Sequence, residues 1–436
     1  MPLLDVDREL TRRSYYAATA PRAAPFPALQ GEVGADVAVV GGGLAGLSAA
    51  IELHDRGFDV VLLEARDVGW GASGRNGGQA IHGLACGEAL VEQQLGVDAA
   101  RRVWAMSIEA LDLIRARIAR FGIDCDWRDG YVAVATSERK ARELRAWVER
   151  TERVYGYAQR WIGRAELPGW VASLRYAAGA HDPRSGHMHP LKYTLGLAHA
   201  AARLGVRVYE RSAVTALDDR RGEPLRVRTA DGVVVARHVL LAGNVYLQQF
   251  APRIAPQLAA RIMPVGTYIV ATPVLGADVA RALIPSGCAV CDTNFVLDYF
   301  RTSADHRLLY GGRVSYSTAT PPGLAAGMRR RMLRTFPQLG RVDVEHAWGG
   351  FVDISMSRAP DFGRVGERVY YLQGFSGHGL ALTGIAGKLV AEAIAGDASR
   401  FDTFARLEHR RFPGGPLLRM PALVAGMAWY RLRDLF

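Results

Sequence analysis

The sequence predicts a mixed α/β protein, α+β overall, with a parallel-sheet domain in discontinuous pieces and a second domain on an antiparallel sheet. Three observations carry this. A β-branched apolar run, Ala35 to Val40, feeds directly into the glycine turn Gly41-Gly42-Gly43-Leu44-Ala45-Gly46. Two further buried runs, His238 to Gly243 and Val369 to Gly374, return far downstream and end in glycine turns of their own. Between them, Arg261 to Gly312 alternates apolar and polar residues with period two, the pattern of antiparallel strands covered on one face. At 436 residues, 49% apolar and 22% charged, the chain is long enough for two cores and has the composition of a globular protein.

Ala35 to Glu64 is a Rossmann-like βαβ unit. Gly41 permits the tight turn, Gly43 lets backbone N–H groups approach a pyrophosphate, and Gly46 lets the next helix lie close on the strand. Phosphates then sit at a helix N-terminus, where unpaired N–H groups and the helix dipole favour negative charge. Leu47 to Arg56 continues as an Ala-rich helix that Gly57 stops, and Asp59 to Leu63 is a second strand ending in Glu64. A carboxylate there accepts hydrogen bonds from a ribose diol and repels a 2′-phosphate, which favours FAD or NAD over NADP. Just beyond, Gly69 to Gln79 supplies small residues, Ser73 and the fixed cation Arg75, a second phosphate-facing loop suited to the longer flavin dinucleotide.

Around this unit the chain reads in order. Residues 1–34 form a polar arm carrying Ser14-Tyr15-Tyr16, and Gly96 to Phe121 is a helix with Trp104, Ile108, Leu111 and Ile114 on one face. Tyr131 to Ala135 is a strand, Ser137 to about Tyr155 a charged helix, and the stretch to His189 irregular. Leu191 to Leu204 is a helix, Val206 to Glu210 a strand, and Asp218 to Arg237 a hairpin turning near Asp231-Gly232. Gly323 to Phe336 is a basic helix, and about Leu380 to Ala395 a last long one.

Several classes are set aside. Net charge is +11, but arginines are scattered, only three lysines occur, and there is no basic run with interleaved aromatics, so no nucleic-acid partner is expected. Four cysteines point to a reducing compartment, and Cys288 and Cys291, three apart on a strand-like run, face opposite ways and suit neither metal nor redox use. With a charged Met1 to Arg13 and no ~20-residue apolar run, neither signal peptide nor membrane span is expected, and the location read is cytoplasmic. The tail Phe412 to Phe436 has an uncharged segment only about half the length of a span; packing on the protein's own surface or a partner subunit is preferred to an amphipathic membrane anchor.

The ordered motifs SYYAAT at Ser14, ADVAVVGGGLAGLSAA at Ala35, WGASGRNGGQ at Trp70, GHMHP at Gly186, LAGN at Leu241, DYFR at Asp298, WGGFVDISMSRAPDFGR at Trp348 and YYLQGFSGHGLALTG at Tyr370 resemble those of the D-amino-acid-oxidase superfamily of FAD enzymes, and within it the gamma-glutamylputrescine oxidase group. The resemblance implies an FAD domain in pieces 35–95, 186–250 and 355–400, a substrate domain in 96–185 and 251–354, an arm 1–34 and a tail 401–436. It places flavin contacts on Gly41, Gly43, Leu44, Ala45 and Gly46, on Glu64 and Ala65, on Ser73, Gly74, Arg75, Asn76, Gly77, Gly78 and Gln79, on Val214 and Gly243, and on Gly374, Ser376, Gly377, His378 and Gly379. In the last group a glycine loop opening a helix would aim N–H groups at the flavin edge that gains negative charge on reduction. Residues lining the ring would be His189, Tyr268, Tyr299, Arg301, Trp348, Asp353 and His378.

The implied activity is amine oxidation by hydride transfer to the flavin, giving an imine and then an aldehyde, with oxygen or another electron acceptor. The substrate would be a polyamine-derived or gamma-glutamylated amine. Alternatives are a D-amino-acid, glycine or sarcosine-type oxidase or dehydrogenase, or a flavin-bearing binding module. Two departures refine this: no His or Cys stands where tethering relatives attach the flavin, so FAD is expected to be non-covalent, and the hairpin 305–313 lacks the lysine that promotes oxygen reaction in sarcosine oxidases. Asp353, the only ionisable residue in WGGFVDIS, would attract an alkylammonium and repel an amino-acid carboxylate, while Arg301 would meet a remote acid group.

Overall fold

The computed structural model describes residues 14–294, 296–315 and 320–413. Its first sheet grows around strand Gly31–Val40, buried from Val37 onward. Val60–Leu63 and Gly232–Leu241 flank it in parallel, and Val369–Gln373 continues the sheet beyond Gly232–Leu241, also parallel. Val40 pairs with both Leu63 and Leu241, and Leu241 with Tyr371, so four carboxyl ends finish level. Open parallel sheets bind ligands beyond such ends. Arg207–Tyr209 closes one edge in parallel and Asp361–Val365 the other in antiparallel sense.

Two glycine turns at these ends launch helices Leu44–His54 and Gly379–Ile394. The helices cross so closely that a methyl group on Gly387 would lie 2.5 Å from the Ala49 nitrogen, and Ser48 Oγ donates to the Gly384 carbonyl at 2.6 Å. The amino ends of both helices are thereby fixed relative to each other.

The second sheet runs, in space, His346–Ser355, Ile262–Ala271, Leu308–Ser315, Tyr299–Thr302, Ala289–Asp292, Arg128–Ala135, Ala178–His187 and Gln79–Ala80, with Arg160–Ile162 beside Ala178–His187. Its joints are antiparallel except one, Ala289–Asp292 against Arg128–Ala135, which is parallel. Gln79–Ala80 therefore leaves the nucleotide loop and enters the second sheet directly.

Two elements differ from the sequence reading. The stretch taken as irregular contains the ten-residue strand Ala178–His187, whose alternation is broken by Gly179, Asp182-Pro183 and Gly186. Asp182 is fully buried there because His82 Nδ1 (2.7 Å) and the Tyr157 hydroxyl (2.6 Å) meet its oxygens. The predicted hairpin arm and the run after it form one strand, Gly232–Leu241, which pairs in parallel with Gly31–Val40 along its length, while its first half also pairs with Leu225–Arg228 and its end with Val369–Gln373. Cys288 and Cys291 pack in different apolar clusters, facing apart as expected, and all four cysteines are free. Among the described residues no single helix is long and apolar enough to cross a membrane, and no cluster of metal-ligating side chains occurs. The tail from residue 414 lies outside the described residues.

Candidate active site

A cavity of about 390 Å³ lies beyond the level carboxyl ends, between the two sheets. At one end, Gly41, Gly43, Leu44 and Ala45 line it, with Glu64, Ala65 and Val214 beside them. Gly41 has φ +118° and a methyl group there would sit 2.6 Å from the Ala242 carbonyl oxygen, so the turn needs glycine for both reasons. Gly46 does not line the cavity: it faces the strand, where a methyl group would come within 2.0 Å of the Gly41 oxygen. Glu64 accepts from the Gly42 N–H at 2.7 Å and the Arg66 N–H at 2.8 Å, one on each oxygen. Burial raises its pKa, and those two donors oppose the shift.

The second loop folds against the first. Ser73 Oγ accepts from Leu44 N at 2.9 Å, so its hydroxyl proton remains for another acceptor. Asn76 ties the loop to itself, donating to the Ala72 and Ser73 carbonyls and accepting from Gly78 N. Arg75 lies under Trp70, its guanidinium carbon 4.6 Å from the ring centre, and both line the cavity with Asn76, Gly77 and Gln79. Gly74 and Gly78 serve the backbone; methyl groups there would meet the Gly69 and Met188 carbonyl oxygens at 2.2 and 2.3 Å.

Gly243 lines the cavity beside Gly41, and Ser376, Gly377, His378 and Gly379 line it at the start of helix Gly379–Ile394. His378 makes no side-chain cap bond, its Nδ1 is buried without a partner, and burial followed by the charge of Arg358 pushes its pKa down to about 3, so the ring is neutral. Gly374 sits just behind, with its N–H on Asp353.

That contact reassigns Asp353. It lines the cavity, but its Oδ2 accepts from the N–H groups of Gly374 and, at 3.1 Å, Phe375. An oxygen holding two N–H groups at the root of the glycine loop is a clamp on the backbone. Asp353 was expected to face an alkylammonium; the partners found for it are main-chain N–H groups 21 and 22 residues away.

Among the other residues expected around the ring, Tyr299 lines the cavity, its ring packed on Gly77 and Gly311, while His189, Tyr268, Arg301 and Trp348 do not. All four are buried behind the wall. Arg301 Nε donates to the Gly77 carbonyl at 2.9 Å and its NH2 to the Tyr16 hydroxyl at 3.0 Å. The Trp348 indole N–H donates to the Arg75 carbonyl at 3.0 Å, and His189 accepts from Lys192 N as the N-cap of helix Pro190–Leu204. Burial, then Arg301, pushes His189 down to about 3. Arg301 and Trp348 therefore hold the Arg75–Gly78 turn from outside. The short helix Tyr15–Thr19 seals them in: Tyr16 packs edge-on against His189 and Trp348, and the Tyr15 hydroxyl donates to Asp305 at 2.6 Å. Sequence reasoning missed Trp70, Asn244, Tyr246, Leu297 and Arg358 as lining residues. Asn244, with φ +52° directly after the glycine turn of Gly232–Leu241, was visible in the LAGN motif.

Two fixed helix amino ends, a glycine cradle, a carboxylate at the second strand and an unpartnered buried histidine nitrogen fit a phosphate-linked dinucleotide with a polar ring, and together they define a flavin-dependent oxidoreductase. The family described as FAD dependent oxidoreductase (DAO) matches residues 36–393, and the chain belongs to it. FAD is its cofactor. The chain is 45% identical to gamma-glutamylputrescine oxidoreductase of Escherichia coli (strain K12) over 422 residues, 97% of this chain and 98% of that one. It is 40% identical to a probable oxidoreductase, OrdL, of Haemophilus influenzae, covering 97% of each. In fold it is similar to glycine oxidase from Geobacillus kaustophilus, with TM-score 0.68 and 22% identity over 83% of this chain and 95% of that one. It is also similar to L-amino acid deaminase from Proteus vulgaris, with TM-score 0.70 and 22% identity over 88% and 96%.

Proposed function

We propose that this enzyme oxidises the amine carbon of a gamma-glutamylputrescine-like or other polyamine-derived amine. The observation that carries the reading is the 45% identity to gamma-glutamylputrescine oxidoreductase over 97% of the chain. The cavity agrees with it, because among the described side chains the second-sheet strands that line it present Gln79, Thr267, Cys291, Tyr299 and Asp353 and no cation to fork an amino-acid carboxylate beside the reacting carbon.

Bound FAD supplies the two-electron acceptor for hydride from the carbon that bears nitrogen. The chain would hold it and exclude water: the Gly43 and Ala45 N–H groups and the Ser73 hydroxyl would reach the phosphates, Glu64 would accept from the ribose, Val214 would pack near the adenine, and the N–H groups of Gly377, Gly379 and Leu380 would face the ring edge. In this reading the cofactor is held non-covalently, because no His or Cys stands where tethering relatives attach the flavin. The electron acceptor is oxygen or another oxidant. The test is anaerobic bleaching of the flavin band by gamma-glutamylputrescine, putrescine, glycine, sarcosine and D-alanine. The reading expects gamma-glutamylputrescine to bleach it with a ratio of limiting reduction rate to Kd about tenfold or more above the amino acids; preference for an amino acid would overturn it.

A further inference from the structure

Gln79 stands at the point where the nucleotide loop becomes the edge strand of the second sheet, paired with His187. Its Nε2 lies 3.2 Å from the Val290 carbonyl and 3.4 Å from the Phe300 carbonyl, on the adjoining strands Ala289–Asp292 and Tyr299–Thr302. Two carbonyl neighbours fix which way the amide points, because only the NH2 group can donate to both. Both amide protons are then engaged. What remains for the cavity that Gln79 lines is Oε1, an acceptor that meets no donor among the described residues.

Among the described side chains, those that the strands around Gln79 bring to the cavity are neutral, while the lining arginines Arg75 and Arg358 stand on the second loop and after strand His346–Ser355. The neighbouring lining residues Ile81, Thr267, Leu297, Tyr299 and Cys291 carry no charge, since burial raises the pKa of both the Tyr299 phenol and the Cys291 thiol. Only two carboxylates line the cavity among the described residues, and both are engaged by backbone N–H groups, Glu64 by Gly42 and Arg66, Asp353 by Gly374 and Phe375. An ammonium ion entering this wall would lose its water for no opposite charge. A neutral amine would not. Its N–H can donate to an amide oxygen while its lone pair stays free.

Resting on the amine-oxidising reading above, we propose that Gln79 binds the substrate nitrogen: its Oε1 accepts an N–H of the neutral primary amine R–CH2–NH2 and so selects the free base over the ammonium. The chemistry requires that form. When hydride leaves the carbon for the flavin, the nitrogen lone pair becomes the second C–N bond, giving R–CH=NH2⁺; an ammonium has no lone pair to give. A carboxylate in place of the amide would bind the ammonium better and the reactive form worse. The loop glycines hold the cofactor, and Gln79, first assigned with them by resemblance, turns its one free atom to the substrate.

The experiment uses purified holoenzyme and gamma-glutamylputrescine, with anaerobic stopped-flow bleaching of the flavin read against amine concentration and pH. Gln79→Met keeps the length of the side chain and removes the acceptor; Gln79→Glu adds a charge. Expected for Gln79→Met is an apparent amine Kd raised about tenfold, the worth of one hydrogen bond in a dry site, with FAD content unchanged. Expected for Gln79→Glu is a limiting bleaching rate that falls at neutral pH and recovers as pH rises, because the carboxylate raises the pKa of the bound amine. An unchanged amine Kd in Gln79→Met with an unshifted pH limb in Gln79→Glu overturns the proposal while leaving the amine reading intact. Loss of FAD from both variants overturns it too, making Gln79 a cofactor ligand. If no amine bleaches the wild-type flavin, the functional reading falls first and takes this one with it.

Discussion

Gly46→Ala is expected to yield no soluble, flavin-containing protein. The added methyl group would lie 2.0 Å from the Gly41 carbonyl oxygen and 3.1 Å from the Val39 side chain. The first obstacle is backbone, and it belongs to the very turn that faces the phosphates, so it cannot move without undoing the site. Neither can the helix retreat, because Leu44–His54 is locked by its crossing with Gly379–Ile394 at Ser48, Gly384 and Gly387. Overpacking of this kind costs about 3 kcal/mol or more, a large share of the stability of most domains. Gly163→Ala is the control, since a methyl group there meets nothing within 4 Å. The measurement is soluble yield, flavin absorbance and melting temperature of both variants. Wild-type values for Gly46→Ala would mean that the helix does not lie as close to the strand as described.

The second large effect is expected at Asp353. Asp353→Ala strands the N–H groups of Gly374 and Phe375, which are buried, at about 1–3 kcal/mol each. The glycine loop should then lose its root, lowering both melting temperature and FAD content, and activity should fall alike for every substrate. Asp353→Asn keeps an oxygen for the loop and should recover most of the FAD. The pH dependence separates the charge from the oxygen. Burial pushes the Asp353 carboxyl up to about 6 from an ordinary 3.8. Between about pH 4 and pH 6 the folded chain therefore holds a proton that the unfolded chain has released. Stability from this group is full below that window and is lost as pH rises through it, about 3 kcal/mol in all. Chemical denaturation across pH 4 to 7 should show a shallower fall in Asp353→Asn than in the wild type; parallel curves would remove the buried carboxylate from the account.

These two positions show how unevenly the sequence reveals such a site. Gly46 is legible because its reason is local: strand, turn and helix are consecutive, and the turn admits one residue type. Asp353 and Arg301 are legible as charges and illegible as contacts. Each ends on main chain, the Gly374 and Phe375 N–H groups and the Gly77 carbonyl, which carry no residue signature. Ala178–His187 was hidden for a related reason. Its buried polar residues are satisfied from distant segments, Asp182 by His82 100 residues away, so they spoil an alternation that would otherwise announce a strand. Aromatic residues misled in the other direction: Tyr268 and Trp348 belong to the strands that cover the cavity, yet they point into the packing between elements.

The short helix Tyr15–Thr19 bears on how the chain comes together in time. Its two anchors are reached by Tyr15 across 290 residues to Asp305 and by Tyr16 across 285 residues to Arg301. During synthesis one partner of the segment, His189, follows it by about 170 residues, but these two anchors come only 285 and 290 residues later. The segment is thus fully seated well after it is made, and Arg301 grips the Gly77 carbonyl from beneath a cover that closes only once the strand carrying Arg301 is in place.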